Sequence, residues 1–271
     1  MRKRFNFRPF VAVMLSAGLL VGLVSCESEN DTVPELPPVE SMVMNFSDFE
    51  SAPAGSKGTA ETYNNFIYSY VTIGFWNITA TLVTVLPVAA YAVALDQTPV
   101  KTGDLTWEWS YSFKYGAFNY DVILEAERIN NESFSAVMMV ALSSMPDSPV
   151  KWFDGVVRYD HTMASWTIYK EGSVPVLNIE WNKNFETGIA DLTYTYVEAG
   201  KDETGSYIMW AMDPAVALDA SYAVSLAAGQ SKIEWNSTTI EGRVKAPLHF
   251  GDELWHCWES QANGLMDKDC E

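Results

Sequence analysis

Basic residues are scarce in this chain: 17 Lys and Arg stand against 35 Asp and Glu in 271 residues, a formal charge of −18. A protein that grips nucleic acid by its phosphates, or an anionic membrane through a polybasic patch, needs the opposite balance. Both modes of binding are therefore disfavoured. Cysteine and histidine are also rare, three of each. The intervals between His249, His256, Cys257 and Cys270 match no zinc-ligand spacing. A phosphate-cradling glycine loop and a G-x-S-x-G nucleophile elbow are both missing, so the sequence assigns no catalytic residue, metal or cofactor. Charge of either sign vanishes between Glu61 and Asp96. What the chain has in quantity is apolar surface, 48% hydrophobic and 13% aromatic residues. A composition of that kind collapses into a core and excludes a disordered tail.

Arg2, Lys3, Arg4 and Arg8 open the sequence, and an uncharged run rich in Val, Leu, Ala and Gly extends from Pro9 to Ser25. These are the n-region and h-region of a signal peptide covering 1–25, and the run is short for a bilayer-spanning helix. It ends in Leu23-Val24-Ser25-Cys26, which resembles the lipobox of bacterial lipoproteins. The resemblance implies cleavage before Cys26, lipidation of its sulfur and attachment to a membrane through acyl chains, which together anchor stably where a single chain does not. Cleavage would leave 13 basic against 35 acidic residues, and an even pair of cysteines, Cys257 and Cys270. That pair suits a disulfide in an oxidising compartment.

Residues 26–41 carry Glu27, Glu29, Asp31, Glu35 and Glu40 among Pro34, Pro37 and Pro38. Charge and proline both oppose collapse, so an extended, solvated tether is expected. The stretch is similar to the acidic segment behind the lipidated cysteine of surface-exposed lipoproteins, and Asp31-Thr32-Val33 resembles a three-residue O-glycosylation pattern of the same bacteria. The whole pattern is similar to β-rich lipoproteins of Bacteroidota-type envelopes, which implies an outer-membrane location and no specific activity.

A single domain is expected over 42–271. Pro87 would kink or split a helix here, and segment 61–96 reads as two apolar helices, roughly 61–80 and 81–96, covered all round by the rest of the fold. The competing reading is a transmembrane span; Asn64, Asn65, Asn77 and Pro87 and the lack of flanking basic residues oppose it. Beyond it, Trp107, Trp109, Tyr111, Phe113 and Tyr115 alternate with Glu108, Ser110, Ser112 and Lys114, the period of a strand with one buried face. Similar runs follow at Phe118–Glu127, Phe134–Leu142, Trp152–Tyr159, Ser165–Lys170, Val174–Trp181, Ile189–Val197, Tyr207–Met212, Ser221–Leu226, Ile233–Asn236 and Thr239–Val244. Short turns between them mean antiparallel neighbours. The expected fold is mainly β: a strongly curved antiparallel up-and-down sheet or incomplete barrel on apolar helices, since a sheet of about ten strands twists out of plane. That architecture resembles lipoprotein carriers and lipocalins, a likeness of fold that carries no function. Ile179-Glu180-Trp181-Asn182 with Gly188 recurs as Ile233-Glu234-Trp235-Asn236 with Gly242, read as two hairpins with Trp inward and Glu outward. In the tail, Trp255 and Trp258 are spaced to share one face of a short helix.

The candidate sites are correspondingly modest. Glu125 and Glu127 share one strand face within glycosidase range, and two solvated acids are the plainer account. Asn182, Asn184, Glu186, Asp202 and Glu203 lack the calcium-loop signature. Trp152, Tyr169 and Tyr196 are the aromatics whose facing is unsettled, and they form the candidate ligand platform. The expectation is a non-enzymatic membrane-anchored module, binding or structural, with a lipid or other apolar molecule as its possible ligand. The alternative is a surface glycan-binding protein or glycan hydrolase.

Overall fold

Side-chain alternation carries strand after strand of this protein, and the backbone follows it. The computed structural model describes residues 33–50, 64–261 and 264–270. The expected signal peptide, Cys26, the expected tether up to residue 32 and the small-residue stretch from Ser51 to Gly58 lie outside the described residues.

The first strands are β1 (Val100–Lys101), β2 (Thr106–Tyr115), β3 (Phe118–Arg128), β4 (Ser133–Leu142) and β5 (Val150–Arg158). They continue as β6 (Met163–Lys170), β7 (Val174–Lys183), β8 (Ala190–Tyr196), β9 (Tyr207–Met212) and β10 (Ala220–Leu226). The last are β11 (Gly229–Trp235), β12 (Gly242–Lys245), β13 (His256–Gln261) and β14 (Gly264–Lys268). Every strand pairs antiparallel with its neighbour in sequence, in the order β1 to β14. The sheet is therefore one up-and-down meander, and it is not closed. Eleven of these strands stand where the alternation places them, with ends shifted by up to four residues. β1, β13 and β14 were not anticipated: β1 is two residues long, and the tail pattern suggested a helix.

One face is packed. Trp107, Trp109, Val122, Leu124, Phe134, Met138, Phe153, Trp166, Ile179, Trp181, Tyr194, Tyr222, Trp235 and Trp258 are buried on it in a single cluster, each worth about 1.5–3 kcal/mol. Glu108, Glu125 and Glu180 point the other way. Close packing needs gaps in two places. Gly155 pairs with Trp166 across β5 and β6, and a Cβ on Gly155 would collide with the Trp166 ring and the Ser165 carbonyl. Gly242 leaves room in the same way for Trp235 and Trp258.

Helix α1 (Asn64–Leu95) is 32 residues long and runs unbroken through Pro87. The expected division into two helices does not occur. Proline removes the bond its nitrogen would make to the Val83 carbonyl and costs about 3 kcal/mol in a helix interior. Thr84, Pro87, Ala90, Tyr91 and Ala94 are all buried around the interruption, and that packing holds both sides in line. At the other end Asp267 of β14 accepts from the backbone N–H groups of Asn64 (2.9 Å) and Asn65 (3.1 Å), and the Asn65 amide donates to the Cys257 carbonyl at 2.8 Å. A residue 202 positions away in sequence thus satisfies donors that a helix N-terminus leaves orphaned. Along its length α1 touches β2, β6, β12, β13 and β14.

Residues 33–50 form a strap on the same packed face. Pro34, Leu36, Pro37, Met42, Met44, Phe46 and Phe49 are buried. Residues 33–41 are therefore not the expected solvated tether, because tyrosines of the sheet and of α1 offer the strap's backbone partners that its charges and prolines do not reveal. The Tyr194 hydroxyl donates to the Met42 carbonyl and accepts from the Met44 N–H, each at 2.8 Å. Tyr222 donates to the Asn45 carbonyl at 2.5 Å, Tyr91 to the Pro37 carbonyl at 2.7 Å, and the Trp235 indole to Asp48 at 2.9 Å.

The internal echo resolves into one turn used twice. Asn184 and Asn236 each accept, through Oδ1, from the backbone N–H groups two and three residues on. The backbone carbonyls of the same two residues accept from Gly188 and Ile240, both at positive φ, +76° and +61°. Gly188 therefore corresponds to Ile240 and not to Gly242, which opens β12. Trp181 and Trp235 are buried, as expected of paired hairpins.

Candidate functional site

The carboxyl-terminal tail is a hairpin. Trp255 and Trp258 do not share a helical face as expected: β13 runs from His256, Trp258 is buried with its indole donating to the Ile240 carbonyl at 2.6 Å, and Trp255 lies under the Arg243 guanidinium, 4.3 Å from the ring centre. Cys257 and Cys270 stand at disulfide distance, with Cα atoms 5.3 Å apart. His256 pairs with Asp252 at 3.0 Å and stacks on Phe250, while His249 stacks on Tyr68. Among the described residues no three His, Cys, Asp or Glu side chains converge as a metal site. A hollow of about 860 Å³ lies here between Asn65, Trp255, Asp267 and Cys270. Burial pushes the Asp267 carboxyl upward, opposed by the two backbone N–H groups it accepts from. Its mixed, charged walls suit water better than an apolar molecule.

The three candidate platform aromatics are not brought together. Trp152 is the extra residue of a bulge between β4 and β5, half-buried in an aromatic corner with Phe113 and Tyr120 at ring distances of 6.4 and 5.4 Å. Tyr169 lies on the opposite face, where it donates to Asp154 at 3.0 Å and has the Lys151 ammonium 3.9 Å above its ring. Tyr196 ends β8 and donates to Glu198 at 2.9 Å, beside the Lys170–Glu198 ion pair of 2.7 Å. Burial and that carboxylate both raise the Tyr196 phenol. Glu125 and Glu127 point to solvent on β3, opposite Val137 and Ser135 of β4. Asn182 donates to Asp191, and the Asn184 side chain is taken up by its own turn.

Tyr196 does border a mainly apolar groove of about 430 Å³ between α1 and the sheet. Phe75, Trp76 and Thr79 form its helix wall, and Leu226 at the end of β10 with Ala227 and Ala228 of the β10–β11 turn form the facing wall, with Glu203 and Ser206 at the end. Trp76 is almost fully buried, yet its indole N–H has no acceptor. A buried donor without a partner costs about 1–3 kcal/mol, and native structures keep few of them. Sequence reasoning passed over Trp76 because it is one of many apolar residues in an uncharged segment. The signal was present only as an indole in a segment with no charged acceptor.

The groove opens beside a second feature of α1. Ile67, Val71, Phe75, Ile78, Leu82 and Val85 are exposed along one side of the helix, opposite the stripe of Phe66, Ile73, Trp76, Ala80, Thr84, Ala90 and Tyr91 that faces the core. The helix is therefore covered on one side and bare on the other, not enclosed all round as its composition suggests. It is long and apolar enough to cross a membrane by length and composition. A third of its most apolar window is nonetheless buried in the fold.

Fold and sites together define an open, up-and-down β-sheet protein with one long apolar helix and a groove at its flank. No family model, curated protein or solved structure matches this chain.

Proposed function

We propose that this chain is a lipoprotein anchored through Cys26 to the outer membrane of a Bacteroidota-type envelope, and that its domain is a non-enzymatic module that takes an apolar ligand in the groove beside Trp76. The anchor rests on Leu23-Val24-Ser25-Cys26 behind a basic and apolar leader. The ligand site rests on one observation: an apolar groove of about 430 Å³ bordered by Trp76, whose buried indole N–H lacks an acceptor. The apolar walls fit a ligand with a hydrocarbon body. In this reading the sheet curves strongly around α1 and the strap, which fill the interior and leave the ligand to the flank. The Cys257–Cys270 pair is a disulfide formed after export.

Native mass spectrometry of the detergent-solubilised protein tests the ligand. Retention of an apolar molecule, with weaker retention in Trp76→Phe, is expected; a protein that carries none and takes up no fatty acid on incubation sinks it. Labelled palmitate tests the anchor separately, and a Cys26 product without label sinks that part. Protease treatment of intact cells distinguishes a surface from a periplasmic location.

A further inference from the structure

The bare side of α1 has a regular spacing that a groove at its flank does not require. Val71, Phe75, Ile78, Leu82, Val85, Ala89 and Ala92 follow one another at intervals of four, three, four, three, four and three residues. This is the seam of a left-handed helix pair, which keeps a 3.5-residue repeat facing one partner helix. The buried side of α1 meets strands and a strap, so no helix of the same molecule uses this seam among the described residues.

The size of the seam is that of an interface. Val71 is 61% exposed, Phe75 54%, Ile78 67% and Leu82 75%. With Ile67 and Val85 they leave on the order of 600–800 Å² of apolar surface, more than a typical monomer exposes in one patch and close to the share of one partner in a standard interface. A bilayer is the poorer occupant. Helices that lie in a membrane interface carry Lys and Arg along the flank, and α1 has no charge between Asn64 and Leu95, on a chain of net charge −18.

Side-chain volume also sets the direction. The large residues Val71 and Phe75 sit toward the start of the seam and the small Ala89 and Ala92 toward its end. Two copies running antiparallel about Leu82 place Val71 against Ala92, Phe75 against Ala89, Ile78 against Val85 and Leu82 against itself. The bulkier residue then meets alanine at the Val71–Ala92 and Phe75–Ala89 levels, and Ile78–Val85 and Leu82–Leu82 fill the centre with aliphatic side chains, so no level is left empty. A parallel pair would oppose Phe75 to Phe75 and leave a gap between the alanines. The exposed Asp96 just beyond the helix C-terminus would then lie near the partner's helix N-terminus, the end that favours negative charge. We propose that α1 is a homodimer seam, and that two copies of this chain join antiparallel through Val71 to Ala92 around a twofold axis at Leu82.

Single-cysteine crosslinking in the full chain tests this directly. With Leu82→Cys, copper-phenanthroline oxidation of cell lysate or membranes should double the apparent mass of most of the protein. Val71→Cys alone should stay monomeric, since the two copies of that position lie roughly 30 Å apart along the pair, and Val71→Cys with Ala92→Cys should crosslink. Ala89→Phe in the Leu82→Cys background should reduce the crosslink by crowding Phe75. The unmodified chain and Asn178→Cys, exposed on the opposite face, set the background. If Leu82→Cys does not accumulate, Ile78→Cys with Val85→Cys poses the same question. Crosslinking of Leu82→Cys no greater than Asn178→Cys overturns the dimer, as does a monomeric Leu82→Cys shielded from aqueous maleimide only in intact membranes, which would assign the face to lipid. Equal crosslinking of Val71→Cys and Leu82→Cys overturns the antiparallel arrangement.

Discussion

Replacing Tyr194 with Phe removes one oxygen and breaks two hydrogen bonds that join the strap to the sheet. The Tyr194 hydroxyl is buried, bridging the Met42 carbonyl and the Met44 N–H at 2.8 Å each. Burial has already pushed its ionisation well above the ordinary phenol range, so the group acts as a neutral donor and acceptor throughout the physiological range. Phe fits the same space and leaves a backbone N–H and a backbone C=O without partners, about 1–3 kcal/mol each, or about 2–4 kcal/mol together once partial relaxation is allowed. Local release of the strap offers no cheaper route. It would expose Met42, Met44, Phe46 and Phe49, all buried, at about 1.5–3 kcal/mol each. The cost therefore falls on the cooperative unfolding of the domain. For a domain of this size it corresponds to a fall in Tm of about 5–15 °C. Circular dichroism melts of wild type, Tyr194→Phe and the exposed Tyr115→Phe would measure it. Tyr115→Phe should melt with the wild type. A Tyr194→Phe melt within a degree of wild type would refute the argument that the strap is an integral layer of the core.

Gly155→Ala drives a Cβ into the Trp166 ring and the Ser165 carbonyl and should lower stability by about 1–3 kcal/mol or more, read as a lower urea midpoint at unchanged slope; an unchanged midpoint would show that β5 and β6 are not so closely packed. Reducing the Cys257–Cys270 pair opens a loop with a sequence separation of 13 and should cost about 3 kcal/mol in the entropic account, seen as a lower Tm in dithiothreitol that Cys257→Ala with Cys270→Ala reproduces; a melt insensitive to reductant contradicts it. Two aspartates should give pH dependences of opposite sign. Hydrogen bonds from Thr162 and Arg158 hold Asp160 down at about 2, so its contribution is present above the usual carboxylate range and is lost as pH falls through about 2. Burial raises Asp267, so the folded state binds its proton more tightly than the unfolded one, and stability falls as pH rises from the ordinary carboxylate value through the raised one. Carbon-13 carboxylate titration of the two groups checks both directions, and shifts of the same sign would refute the account.

The sheet was legible because its signal is local. A strand with one buried face repeats every two residues, and Trp107 to Tyr115 shows that period without interruption. The bulge at Trp152 shows the limit of such reading: an extra residue with no fixed face is undecidable by alternation, and only pairing with β4 turned it toward Phe113 and Tyr120. The tail failed for a related reason. Trp255 and Trp258 are three apart, a helical interval, but the edge of β12 offered hydrogen-bond partners to the backbone from His256 onward, and pairing overrode spacing. The strap was hidden because acids and prolines dominate its composition, while its buried residues are held by tyrosine hydroxyls from β8 and β10. Of the platform aromatics only Tyr196 reaches the groove, and Trp76, the residue that distinguishes it, had no mark in the sequence.

By itself the sequence determined the acidic balance, the antiparallel meander and the uncharged segment that must pack against it, because charge, hydropathy and period are properties of short stretches of chain. Tertiary structure alone decided that this segment is one helix and not two, which of its apolar stripes meets the core, and which lies bare. A helix apolar on every side has no moment to orient it; Asp267 and Asn65 at its start, Tyr111 and Tyr91 near its end and the strap beneath it fix its rotation, and those partners lie up to 203 residues away along the chain.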